Sequence, residues 1–225
     1  AARRAAALLV GNLALDPKLR SELGKAGAVE ALWSIYLAAN NNVQCITALW
    51  ALSNLVWSNR SNQDRCGKFL ESALLVALVK TAPHGNKNSV AVRASCAPIP
   101  NLPGGCSMHE RACAVRLVAN ALYFNEANRV LIESSTAGVE GLLDLAGPHE
   151  PAVVREPALR CLVSLTATDR GARRVAFARG SESAFKTFLE AIGDDHCGGE
   201  NASIRQLGVA ALANICILVD AHDRV

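Results

Sequence analysis

Five short segments of this chain close on the same pattern, and that recurrence limits the fold more than any other feature. Four are Leu9-Val10-Gly11-Asn12-Leu13, Ala51-Leu52-Ser53-Asn54-Leu55, Leu117-Val118-Ala119-Asn120-Ala121 and Ala211-Leu212-Ala213-Asn214-Ile215. The fifth, Cys161-Leu162-Val163-Ser164-Leu165, carries Ser in the Asn slot. Measured from slot to slot, the intervals are 42, 66, 44 and 50 residues. Only 15 of the 225 residues are Asn, so four Asn in five matched slots is not chance. A base period of about 42–44 residues belongs to helical repeats, units that bury their apolar faces only by stacking on neighbours.

Each period divides in the same way. A short polar helix follows the slot: Asp16–Ala26, Asn62–Glu71, Asn125–Ser134, Asp169–Arg179. A compact apolar helix comes next, with apolar residues at three- and four-residue steps: Val29–Leu37, Ala73–Thr81, Val139–Ala146, Ala184–Ile192. The third helix is the longest and ends at the slot: Asn42–Trp57, His109–Phe124, Glu156–Ala167, Ser203–Leu218. Gly27, Gly138 and Gly180 fall near the junction of first and second helices, where a sharp turn favours a residue without Cβ. The expected class is all-α, a right-handed α-solenoid of three-helix repeats in one domain. A partial repeat over 1–15 precedes repeats over 16–58, 59–124, 125–167 and 168–219, and a further repeat is expected to start at 220–225. The second carries an insertion, 84–108, whose Pro98, Pro100 and Pro103 exclude a continuous helix.

Composition agrees. Hydrophobic residues make up 51% but aromatics only 4%, so Ala, Leu and Val supply the excess and suit closely packed helices. A net charge of +3 from 23 basic and 20 acidic groups gives no drive toward nucleic acid or anionic membrane. No apolar run approaches the roughly 18–20 residues of a membrane span. Cys45, Cys113, Cys161 and Cys216 sit inside apolar helical patterns and read as core thiols of a reduced compartment, cytosol or nucleus. The first residue is not Met and neither end has a polar capping repeat, so a piece of a longer protein is expected.

Val43-Gln44 followed by Ala48-Leu49-Trp50-Ala51-Leu52-Ser53-Asn54-Leu55 resembles the third helix of armadillo repeats such as those of importin-α. Gly27-Ala28-Val29-Glu30-Ala31-Leu32 is similar to the start of that family's second helix, and Val154-Arg155 and Ile204-Arg205 to a variant also seen in HEAT repeats. The resemblance spans the chain except 84–108. It implies a concave groove lined by third helices.

Catalytic patterns do not occur: there is no phosphate-binding Gly loop, His-Glu-x-x-His, Cys-x-x-Cys or Gly-x-Ser-x-Gly. No enzyme activity and no cofactor are therefore expected. Cys96, Cys106, His109 and Cys113 have zinc-ligand identities, but they lack the closely spaced Cys pair of common zinc sites and read as loop and core residues.

The slot ladder is the strongest functional signal. At about 100° per residue, positions −4, 0 and +3 relative to the slot share one helix face. That face presents Trp50, Asn54 and Trp57, then Arg116, Asn120 and Tyr123, then Arg160 with Ser164 and Ala167, then Asn214 with Ala210 and Ile217. An Asn amide that donates and accepts together can pair with an extended peptide backbone, leaving aromatics and charges to choose the sequence. The competing expectation is that these Asn bond to neighbouring structure and the Trp fill gaps between repeats. Arg3, Arg111, Arg155 and Arg205 stand nine residues before their slots, opposite that face, and read as structural.

Three functions follow. The favoured one is a non-catalytic scaffold holding an extended, acidic segment of a protein partner. Resemblance to importin-α suggests instead a nuclear-transport adaptor for basic signals, which needs successive Trp-x-x-x-Asn pairs. Only Trp50–Asn54 fits; Arg116 and Arg160 occupy the slot that Trp would hold, as in β-catenin-like grooves. The third is a purely structural solenoid inside a larger assembly.

Overall fold

A computed structural model describes residues 2–78, 107–178, 181–193 and 202–222. The described residues are helical, with no strand among them. Third helices are α1 (Ala2–Leu13), α4 (Asn42–Val56), α7 (Met108–Leu122), α10 (Ala152–Thr166) and α13 (Ala202–His222). First helices are α2 (Pro17–Lys25), α5 (Arg60–Cys66), α8 (Glu126–Ser134) and α11 (Asp169–Ala176). Second helices are α3 (Ala28–Leu37), α6 (Leu70–Leu78), α9 (Thr136–Ala146) and α12 (Ser181–Ile192). The chain forms two compact units, 1–121 and 122–225. Each is an all-α stack of three-helix repeats, as the periodicity requires.

Every first helix starts on a side-chain cap placed just after the slot. Asp16 accepts from the amides of Lys18 and Leu19, Asn59 from Asn62, Asn125 from Asn128, and Thr168 from Gly171. Asp16 and Thr168 lie four residues after their slots, Asn59 and Asn125 five. The additional residue is accommodated in the left-handed region, at Ser58 (φ 48°) and Phe124 (φ 51°).

Third helices carry the core. Leu49, Leu52, Leu55, Leu117, Leu122, Leu159, Leu162 and Leu165 are fully buried. In the first unit Trp33 stacks on Phe69 at 5.0 Å, and the Tyr36 hydroxyl donates to buried Glu110 at 3.2 Å, fixing the start of α7 to α3.

Some boundaries differ from the sequence reading. α10 begins at Ala152, not Glu156, and passes through Pro157: Val154, Arg155 and Pro157 are all buried, and that packing outweighs the backbone bond Pro cannot donate. Gly27 takes the left-handed φ of 84° expected at the first junction. Gly138 does not form a turn; Ser135 caps α9 and accepts from the Gly138 amide inside the helix. Gly180 and the insertion through residue 106 lie outside the described residues. α13 is continuous to His222, past the start expected for another repeat at 220. Among the described residues no helix is long and apolar enough to cross a membrane.

Candidate functional site

The slot residues first serve the stacking of one third helix on the next. Asn54 Nδ2 donates to the Gly11 carbonyl at 3.2 Å. Asn120 Nδ2 donates to the Ser53 carbonyl at 3.0 Å and to its hydroxyl at 2.8 Å. Asn214 Nδ2 donates to Thr166 Oγ1 at 3.3 Å. Each bond joins a slot to the preceding third helix of the same unit. Asn120 commits its donors to Ser53 and keeps only its oxygen, which is buried without a hydrogen-bond partner. The expectation of an amide that both donates to and accepts from a peptide therefore narrows, for Asn120, to an acceptor.

The flanking positions divide between packing and exposure. Trp50 of α4 is half-buried and packs against α1, where a Cβ added to Gly11 would lie 2.2 Å from its ring. Trp50 is thus one wall of a close helix approach that glycine permits. Trp57 is 37% exposed at the end of α4, its carbonyl accepting from Arg20. Arg116 is exposed on α7. In the second unit, Tyr123 is 38% exposed and meets Phe124 edge to face at 4.5 Å, while Arg160 and Asn214 are half-buried on α10 and α13. The first unit therefore carries Trp50, Asn54, Trp57, Arg116 and Asn120; the second carries Tyr123, Arg160 and Asn214.

The arginines nine residues before the slots cap helix ends. Arg111 Nε donates to the Ala77 carbonyl at 2.8 Å and Arg155 Nε to the Ala146 carbonyl at 3.4 Å, each satisfying the last turn of its own repeat's second helix. Arg3 donates to the Ala38 carbonyl at 3.3 Å.

Sequence reasoning passed over the buried polar residues of the first helices. Arg20, 7% exposed, bonds the carbonyls of Ala14 and Leu15 at the end of α1 and of Trp57 at the end of α4. Asn62 Nδ2 bonds the Leu55 and Arg20 carbonyls, and Gln63 Nε2 the Asn120 carbonyl. Glu133, 3% exposed, accepts from Thr168 and lies 3.8 Å from Arg170. The available signal was placement: Arg20, Asn62 and Gln63 stand three or four positions after a helix cap and Glu133 eight, on the face that the amphipathic pattern turns inward.

A concavity of about 720 Å³ lies in the second unit, lined by Glu133, Thr136, Val139, Arg173, Arg174 and Phe177 among others. Its arginines already have partners: Arg173 pairs with Asp169 at 3.2 Å, and Arg174 bonds the Glu133 carbonyl and Thr136 Oγ1. Among the described residues no cluster of three or more His, Cys, Asp or Glu could hold a metal. Of the zinc candidates, Cys96 and Cys106 lie outside the described residues; burial pushes the Cys113 thiol up, the reverse of a ready thiolate ligand.

No protein-family model matches the chain, and no curated protein matches it. Among solved structures it is similar to one engineered protein with a TM-score of 0.70 at 18% identity, covering 94% of this chain and 72% of that one. A second engineered protein gives 0.68 at 19% identity, covering 97% and 80%. A designed armadillo repeat protein gives 0.49 at 18% identity, covering 94% and 92%. The first two likenesses are of fold.

Proposed function

We propose that this protein is a non-catalytic interaction scaffold that holds an extended, acidic segment of a protein partner along the slot face of its third helices. The observation that carries this reading is the exposure of that face's flanking positions. Arg116, Trp57 and Tyr123 keep large side chains in solvent, while the neighbouring positions Leu117, Val56 and Leu122 are fully buried. Exposed aromatics and arginines on a rigid helical scaffold are the residue types that dominate peptide interfaces.

Charge sets the preference. Arg116 on the slot face of the first unit and Arg160 on that of the second each attract carboxylates or phosphates and repel lysine-rich segments, which disfavours an importin-α-type adaptor. A cytosolic or nuclear setting fits the core thiols. The structural alternative draws its support from the slot bonds to Gly11, Ser53 and Thr166. Fluorescence anisotropy with extended acidic, phosphorylated, neutral and lysine-rich peptides separates the readings. Acidic or phosphorylated peptides should bind, and salt should weaken them. A lysine-rich preference would favour the adaptor, and no binding to any class would favour the structural role.

A further inference from the structure

The two units build the same junction between consecutive first helices, and they finish it differently. Counted from the caps, Glu133 is eighth in its repeat and Gly171 third in the next; the first unit has Gly24 and Asn62 in those places. The bulk has changed sides. A Cβ on Gly24 would meet Asn62 Oδ1 at 1.7 Å, and one on Gly171 would meet Glu133 Oε1 at 2.7 Å. Beside this junction the first unit makes an ionic bridge: Glu30, in Val29-Glu30-Ala31-Leu32, lies 3.6 Å from Arg65 and 3.2 Å from Lys68. By the same register the second unit has Glu140, in Val139-Glu140-Gly141-Leu142, with Arg174 for Arg65 and Phe177 for Lys68. Arg174 turns instead to the Glu133 carbonyl at 3.3 Å and to Thr136 Oγ1, Phe177 is 64% exposed, and both line the cavity of about 720 Å³.

Charge in this lining is uneven. Glu133 lies 3.8 Å from Arg170 and Asp169 lies 3.2 Å from Arg173, so two carboxylates match two guanidiniums. Among the described residues both partners of Arg174 are neutral. They take Nε and one hydrogen of Nη2. Nη1 and the other Nη2 hydrogen form a second pair of donors, on a guanidinium already held in place, with the geometry that grips two anionic oxygens at once. Glu140 also lines the cavity, so the anionic end of a ligand belongs at Arg174 and its apolar side chain at Phe177. We infer that this cavity binds an acidic segment of a partner protein, seating a carboxylate or phosphoryl group on Arg174 and the adjacent apolar side chain against Phe177. The lining comes from α8, α9, α11 and the residues just after α11, not from third helices. The site is therefore distinct from the slot face and does not rest on that reading.

The test is calorimetric titration with three end-capped hexapeptides: Gly-Ser-Phe-Glu-Ser-Gly, the same peptide with phosphoserine for Glu, and the same with Gln for Glu. At least one anionic peptide should bind wild type, about tenfold more tightly than the Gln peptide, and the tighter of the two identifies the group seated on Arg174. Arg174→Gln and Phe177→Ala should each weaken that peptide about tenfold or more, while Trp57→Ala and Arg116→Glu leave it unchanged. Melting temperatures check the fold of each variant. Arg174→Gln also removes two bonds of the stack, so Phe177→Ala, which truncates an exposed ring, decides the matter if Arg174→Gln is unstable. Three results overturn the proposal. They are no binding of either anionic peptide at about 1 mM, equal binding of the Gln peptide, and an affinity that survives Phe177→Ala. Loss of binding in Arg116→Glu with no effect of Phe177→Ala would place the peptide on the slot face, so the two readings fail separately.

Discussion

Asn120 donates to both the carbonyl and the hydroxyl of Ser53, a residue adjacent to the previous slot, and so the residue that marks the repeat also fastens it. Removing one partner leaves the other buried and unsatisfied. Asn120→Ala should lower stability by about 1–3 kcal/mol and Ser53→Ala by less, since the Ser53 carbonyl remains. Because the residues touch, the double variant should cost less than the sum of the singles. Denaturant melts of the four proteins check this; strict additivity would mean that the two residues act independently.

Gly11 and Trp50 test how close the third helices stand. An alanine at Gly11 gains about 1 kcal/mol of helix propensity. Its Cβ would lie 2.2 Å from the Trp50 ring and 3.1 Å from Ala51 Cβ, and such overpacking costs about 1–3 kcal/mol. Gly11→Ala should therefore reduce the melting temperature, and adding Trp50→Leu should restore part of the loss. A rise in melting temperature with the single variant would show that the ring swings clear at no cost.

The repeat fold was legible because its signal is periodic. Apolar steps of three and four within helices, and slots about 42–44 residues apart, both survive averaging over a segment. Which atoms of a slot residue are engaged is not periodic. The spacing of Asn54 and Asn120 is the same whether their amides face a ligand or Gly11 and Ser53. Arg20 and Gln63 escaped notice for a related reason: on short polar helices a single Arg or Gln looks like surface, and only the carbonyls at the ends of α1, α4 and α7 give it a buried partner. α10 was drawn from Glu156, four residues late, because the burial of Val154 and Arg155 that extends it back to Ala152 is tertiary. Arg155 was read correctly as structural since its place opposite the slot follows from helix geometry alone.

Cysteine reactivity should follow burial. Burial pushes the Cys45 thiol up to about 12, with nearby Glu110 adding to the rise, and Cys66 likewise to about 12. Burial also raises Cys161, and Cys216 is exposed. In the native protein at pH 8, iodoacetamide should label Cys216 before the other cysteines of the described residues and leave Cys45, Cys66 and Cys161 intact, as peptide mass spectrometry would record. The sign for stability follows. A thiol whose folded pKa exceeds its unfolded value stabilises fully below the unfolded value, about 9, and loses that contribution as pH rises toward 12. Melting temperature should fall over that window, and Cys66→Ala should flatten the fall despite the cavity it leaves. Fast labelling of Cys66 at pH 8 would contradict the packing around it.

The binding reading has its clearest test in Trp57, whose side chain and backbone have separable jobs. The backbone carbonyl accepts from Arg20 and ties α2 to the end of α4, a bond that Trp57→Ala preserves. The side chain is 37% exposed, so truncation removes contact area that a ligand would use while leaving the stack in place. Against an acidic peptide that binds wild type, Trp57→Ala should cost about 2 kcal/mol, roughly thirtyfold in affinity. Arg116→Glu should weaken the same peptide by at least as much, with a smaller salt dependence, because it reverses the charge that steers the ligand. Asn54→Ala and Asn120→Ala should show both losses, lower stability and weaker binding, because each serves the stack and faces the slot. Arg155→Ala is the control: losing its bond to the Ala146 carbonyl should lower the melting temperature while affinity per folded molecule stays unchanged. Calorimetry and thermal melts on the same samples separate these outcomes. If Trp57→Ala and Arg116→Glu both bind like wild type at equal folded fraction, the peptide does not use the slot face.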